Sequence, residues 1–329
     1  QQAKIKVGHE AGALLSNQAN LPYTGRAYDG IMLNTYEALN YLALGEPDKA
    51  RPELIRAYQR QQDAVAENSK RIEKIQNEAD RNTNSAAIKK AQNDPKFQAA
   101  IQNDYTNLNN LQAYADYVNP FTVYLSGLFF MTDAADASDL ERAQKSFQRV
   151  AGLIGDNDYI KADLATVNDL INGKPFSPTT YVIFETGCAP VRDQIRIDIP
   201  IIFSKVSYIG AAFPTLKFQE NFVPDLTVTA DGKSATTALL CNMDSVIGLD
   251  FKNELPVIIT KTIASTIAKA AVAYAANRAV SQQSDIAGLF MQIGTAVYQA
   301  AVNIADTRTW TTLPKEFQYA RLATPPDRR

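Results

Sequence analysis

The sequence has 329 residues, of which 46% are apolar and 21% charged, and its formal net charge is −2. The length predicts two domains, the composition excludes global disorder, and the near-neutral charge offers no general attraction to nucleic acid. A single histidine, His9, leaves Ser–His and Cys–His nucleophile chemistry without a base in a promising setting.

The first ten residues, QQAKIKVGHE, lack the apolar core of a secretory signal. The expectation is a cytoplasmic protein, or a mature one whose leader has been removed. Residues 11–17 predict a short helix, and LPYTGRAYDG is a turn-rich approach to residues 36–57, YEALNYLALGEPDKARPELIRA. Here Ala38 and Tyr41 lie one turn apart on a first helix, and Gly45, Glu46 and Pro47 break it. Ala50, Leu54 and Ala57 then recur at helical spacing on a second. So short a link makes the two helices antiparallel, and small side chains let them approach closely. The pattern matches much of the tetratricopeptide repeat, with Asn34 standing where that repeat usually has an aromatic residue.

A second copy occupies residues 120–151, where Gly127 and Phe130 take the places of Ala38 and Tyr41. Ala143, Phe147 and Val150 take those of Ala50, Leu54 and Ala57. Between the copies, residues 58–117 are rich in good helix formers, with Val65, Ile72 and Ile75 as sparse apolar positions. Two readings stand for this stretch: a long charged helical hairpin projecting from the body, or a solvated linker. Residues 159–172 predict a closing helix, and Gly173, Lys174, Pro175, Ser177 and Pro178 mark a domain boundary.

The second half predicts one antiparallel sheet. Its strands are residues 181–185, 194–203, one or two within SYIGAAFPTLKF, and a pair flanking Asp231-Gly232, which suits a tight hairpin turn. A short helix over 244–253 and a long one opening at Pro256 follow. Residues 286–305 carry no charge, but Gln292, Thr295, Gln299 and Asn303 form a polar stripe that favours a packed helix over a membrane span. Trp310 and residues 317–322 predict two last strands, and TPPDRR a tail. The fold class expected is α+β: a tetratricopeptide-like helical domain over 1–176, then a domain over 177–329 of antiparallel sheet with helices near 256–306.

Motifs for chemistry are sparse. Gly232-Lys233-Ser234 matches the end of a P-loop, but Thr227 stands where the motif needs glycine, so a hairpin turn is the expectation. Cys188 and Cys241 with one distant histidine make no zinc set, and no metal or cofactor is expected. The two cysteines are either joined, in an oxidising compartment, or two buried free thiols.

Five stretches carry a resemblance: YTGRAYDGIMLNTYEALNYLALGEPDKAR, NPFTVYLSGLFF, FETGCAPVRDQIRIDIP, DFKNELP with the long helix after it, and ADTRTWTTLP. In this order the chain resembles an uncharacterised family of proteobacterial cell-envelope lipoproteins. That likeness implies export, a tetratricopeptide-like first half, and an anchoring cysteine lying upstream of Gln1. It also implies further chain beyond the ADTRTW region, and association with lipoproteins that activate cell-wall synthases.

The function expected is a non-enzymatic periplasmic scaffold, tethered to the outer membrane, binding other envelope proteins through its helical pairs. Tyr36, Tyr41, Arg51, Arg56, Arg60 and Phe130 are the candidate contacts. Two rivals are a structural, oligomeric subunit of a large envelope machine, and a wall-acting enzyme using Glu185, Asp193 and Asp198 as acid and base.

Overall fold

A computed structural model describes residues 22–112, 114–200, 208–281 and 304–325. It is an α+β structure with eight described helices and antiparallel sheets. The expected helix over 11–17 and nearly all of the uncharged stretch 286–305 lie outside the described residues.

Helix α1 (Ala27–Ala43) ends where its sequence loses the means to continue: Leu44 caps it and Gly45 adopts φ +72°. The Glu46 N–H then reaches back to the Tyr41 carbonyl and that of Gly45 to Leu42, closing the helix as a Schellman motif. Pro47 opens α2 (Pro47–Arg81), where a missing N–H costs nothing. Ala38, Ala50, Leu54 and Ala57 are all fully buried between the pair. Asn34 also faces inward, its amide donating to Glu53 and its carbonyl accepting from Arg60 Nε at 2.6 Å. Asn34 thus forms a polar bridge between α1 and α2.

Beyond α2 the chain returns as α3 (Ser85–Gln92), α4 (Pro95–Asp104) and a 3-10 turn, Thr106–Asn109. This is neither a projecting arm nor a bare linker. Ile75, Ala79, Ile88, Ala91 and Phe97 are buried, and Phe97 packs on Phe213 of the second half at 5.9 Å. The expected second helix over 96–117 starts at Pro95, capped by Asp94, and is shorter because it ends at Asp104, before the 3-10 turn.

The second pair is α5 (Pro120–Thr132), capped by Asn119, and α6 (Ala137–Ile154), capped by Asp136. A Cβ on Gly127 would lie 3.0 Å from the Phe147 ring, so this close crossing needs glycine. Helix α7 (Asp158–Ile171) completes the helical half.

The strands form three sheets, where the sequence predicted one. β1 (Thr179–Thr186), β7 (Glu316–Ala323) and β6 (Ala238–Asn242) make an antiparallel sheet with β7 in the centre. β2 (Val191–Pro200) and β3 (Tyr208–Lys217) pair by themselves along their whole length. β4 (Thr227–Ala230) and β5 (Lys233–Thr236) form the small hairpin, with Asp231 and Gly232 both at positive φ. That turn is followed by a strand, not a helix, which settles the Gly-Lys-Ser run as hairpin geometry. Trp310 lies in a loop, leaving β7 as the one terminal strand among the described residues. The two expected helices around Pro256 are one, α8 (Met243–Ser281), which carries that proline in its interior.

The core crosses the expected boundary at Gly173–Pro178. Phe317 of β7 stacks on Phe121 of α5 at 3.9 Å, and Tyr319 lies against Tyr124 at 4.6 Å. Strand β7 therefore covers α5, which is buried along almost all of its length. No described helix is long and apolar enough to cross a membrane.

Candidate functional site: a buried ionic junction

Four segments far apart in the chain meet at one place. YTGRAYDG supplies Arg26, Tyr28 and Asp29 at the start of α1. FETGCAPVRDQIRIDIP supplies Arg192 on β2, DFKNELP supplies Asp250, Phe251 and Glu254 on α8, and ADTRTWTTLP supplies Asp306, Arg308 and Thr309. Helix α2 adds Arg71.

Glu254 is the hub. It accepts from Arg192 Nη2 at 2.7 Å, from Arg26 Nη1 at 3.3 Å and from Arg71 Nη1 at 3.2 Å. Side-chain exposure is 1% for Arg192 and 5% for Glu254, so water screens this pair little. Arg192 also lies over the Phe251 ring, 4.9 Å from its centroid. Arg26 extends the network to Asp306, which holds Arg308. Thr309 bonds the Tyr28 hydroxyl at 3.0 Å, and the Tyr23 hydroxyl donates to Asp29. Segment 306–310 thus straps α1, and the Trp310 ring lies 6.1 Å from that of Tyr36.

The two carboxyls one turn apart on α8 are driven in opposite directions. Burial works against the Glu254 charge, but Arg192, Arg26 and Arg71 outweigh it and hold the carboxyl down to about 2. Asp250 is fully buried, and burial together with the Glu254 charge pushes it up to about 8. Its Oδ2 has no hydrogen-bond partner. Asp163 forms a smaller centre of the same kind. It accepts from Arg321 at 2.8 Å and Tyr124 at 3.2 Å, yet burial raises it to about 6.

The sequence-derived contacts have other partners. Phe130 is 1% exposed, between the guanidinium groups of Arg51 and Arg142, so it is core and not docking surface. Arg51 grips both oxygens of Asp139 at 2.8 and 3.0 Å and ties α2 to α6. The Tyr36 ring packs near Phe317, and its hydroxyl donates to Glu185 at 2.8 Å. Tyr41 lies under Lys49, Arg56 pairs with Glu53, and Arg60 crosses to Asn34; of these three, Arg56 and Arg60 are exposed.

Glu185, Asp193 and Asp198 are all exposed, on two different sheets. Asp193 and Asp198 are an odd number of residues apart on β2, which alternation sends to opposite faces. The cysteines are free thiols: Cys188 is exposed after β1, whereas Cys241 is buried beside Asn119 and Met243. The disulfide expectation fails because Cys241 points into the core. Among the described residues no group of His, Cys, Asp and Glu side chains is arranged to hold a metal.

No protein-family model matches the chain, and neither a curated protein nor a solved structure does.

Sequence reasoning missed the junction because its members are far apart in the chain. One local signal was present: Asp250 and Glu254 are one turn apart on a helix whose neighbouring residues are largely apolar. Two carboxyls sharing the inner face of such a helix require partners from elsewhere.

Proposed function

We propose that this chain is a non-enzymatic scaffold of the bacterial cell envelope, an exported lipoprotein of the outer membrane that docks other envelope proteins on tetratricopeptide-like helical pairs. The observation that carries this reading is the repeated packing of small residues in the α1–α2 and α5–α6 pairs, at the positions the repeat requires. The resemblance of the chain to envelope lipoproteins supplies the compartment, and activators of cell-wall synthases are the partner class it suggests.

The docking surface in this reading is the outer face of α2. Because β7 and segment 306–310 cover the inner faces of α5 and α1, the first helices of the pairs have little surface to offer. On α2, Ile55, Tyr58 and Val65 are exposed apolar residues at helical spacing. Arg56 and Arg60 stand beside them and remain candidate contacts, whereas Tyr36, Arg51 and Phe130 act inside the fold. The test is cross-linking in envelope preparations with the full chain and with an Ile55→Glu, Tyr58→Glu, Val65→Glu variant. Loss of a cross-linked envelope protein in the variant is the result expected. Identical cross-linking by a correctly folded variant would sink the reading.

A further inference from the structure

We propose that the groove between α2 and α6 docks an acidic segment of a partner protein, one with apolar side chains spaced among its carboxylates. The inference rests on the docking reading above and names the chemistry that this surface would take.

Two contacts set the geometry. Arg51 of α2 grips Asp139 near the start of α6. Further along both helices, the Arg149 guanidinium lies 5.9 Å from the centroid of the Tyr58 ring. The helices therefore run side by side in the same direction. On α6, Arg142, Lys145 and Arg149 recur at helical spacing and share one flank, while Ala143, Phe147 and Val150 turn into the core. Arg142 and Lys145 are exposed and Arg149 is half-buried. On α2, Tyr58 and Val65 follow Arg51 at intervals of seven residues and so lie on the edge facing α6, with Ile55 at the rim. All three of these apolar side chains are exposed.

The flank keeps its positive charge because the nearest carboxylates are engaged elsewhere. Asp139 is held by Arg51 and Glu53 by Arg56, which leaves Glu141 as the other carboxylate of α6. Arg142 lies over the Phe130 ring, 4.6 Å from its centroid, as Arg149 lies over Tyr58. An aromatic face holds a cation in place without neutralising it. Guanidinium groups positioned in this way suit carboxylates, whose two oxygens they can bond together. Apolar surface lies directly beside them, so the complementary ligand offers both chemistries within a few residues. A flat layer of anionic headgroups would reach Lys145 more readily than the half-buried Arg149, whereas a single narrow segment can follow the groove to both.

The test is selection from a random peptide library displayed on phage, with the full chain as bait, followed by titration of the recovered peptides. Enrichment of peptides in which Asp and Glu alternate with apolar residues is the result expected. Their affinity should fall as salt is added, and by about tenfold or more in Arg142→Glu, Lys145→Glu, Arg149→Glu. Because Arg142 covers a core ring, Lys145→Glu, Arg149→Glu is measured beside it and should show the same direction. Lys70→Glu, Lys90→Glu makes an equal change of charge outside the groove and should bind as the wild type does. No enrichment, enrichment without acidic residues, or equal binding by the groove variants would overturn the proposal. So would dependence on these cations for sedimentation with phosphatidylglycerol vesicles in place of peptide binding, which would assign the flank to a lipid surface. Loss of envelope cross-linking in the α2 variant without acidic enrichment would sink this inference alone. Acidic enrichment with no envelope cross-link at all would instead sink the scaffold reading.

Discussion

Arg192 on β2 and Glu254 on α8 meet at 2.7 Å with almost no solvent access, and Glu254 accepts two further guanidinium groups. Removing one partner from a buried pair costs about 3–5 kcal/mol, chiefly through the charge left behind. We expect Glu254→Ala to fall in that range and to exceed Arg192→Met, because the first leaves the buried Arg192 guanidinium without its carboxylate and the second leaves Glu254 two arginines. Chemical denaturation of both variants checks the order. A loss for Glu254→Ala no larger than for the exposed Asp198→Ala would refute the hub.

Asp163 makes stability depend on pH in the acid range. Burial raises its carboxyl to about 6 against the pull of Arg321 and Tyr124. The folded chain therefore binds the proton more tightly than the unfolded one, and this stabilisation is complete below about pH 4 and lost as pH climbs through about 6. Asp163→Asn should remove that component, worth at most about 3 kcal/mol. The measurement is the urea midpoint at closely spaced pH values between 4 and 7, and an unchanged slope in the variant would contradict the assignment.

Two glycines on the second helical pair should respond oppositely to alanine. A methyl on Gly127 meets the Phe147 ring and the Ser146 Cβ at 3.0–3.1 Å, so Gly127→Ala should destabilise by about 1–3 kcal/mol. Gly152 has open space around it within α6, and Gly152→Ala should stabilise by about 0.5–1 kcal/mol. Thermal melts of the two variants decide the matter; the same sign for both would show that the α5–α6 crossing is looser than described.

The cysteines should be distinguishable by reagent. In the native chain, without reductant, a bulky aromatic disulfide should titrate Cys188 alone, and unfolding should release Cys241 as a second thiol. Finding no thiol after unfolding would mean that the two are bonded.

Much of this fold was legible in the sequence, and the reason is that the legible parts are local. The Asp231-Gly232 turn, strands β1 and β7, and the small residues of the two helix pairs declare themselves within a few positions. Pro256 misled because proline more often begins a helix than interrupts one, and here α8 runs through it. The division into three sheets was hidden because strand patterns state which face is apolar and not which strand is the neighbour. Tyr36 and Phe130 were read as candidate contacts, but their surroundings come from Phe317, Trp310 and Arg142, which no short window contains.

The stacking of Phe317 on Phe121 has a practical consequence for anyone dividing the polypeptide. The Gly-Pro segment after α7 invites a cut between a helical piece and a strand-rich piece. A fragment ending there would expose Phe121 and Tyr124 to solvent, and its complement would lose the aromatic bed of its central strand. Neither product should be well behaved by itself, whereas co-expressed fragments should reassemble across that ring stack. Work on this chain is therefore best done with both halves present.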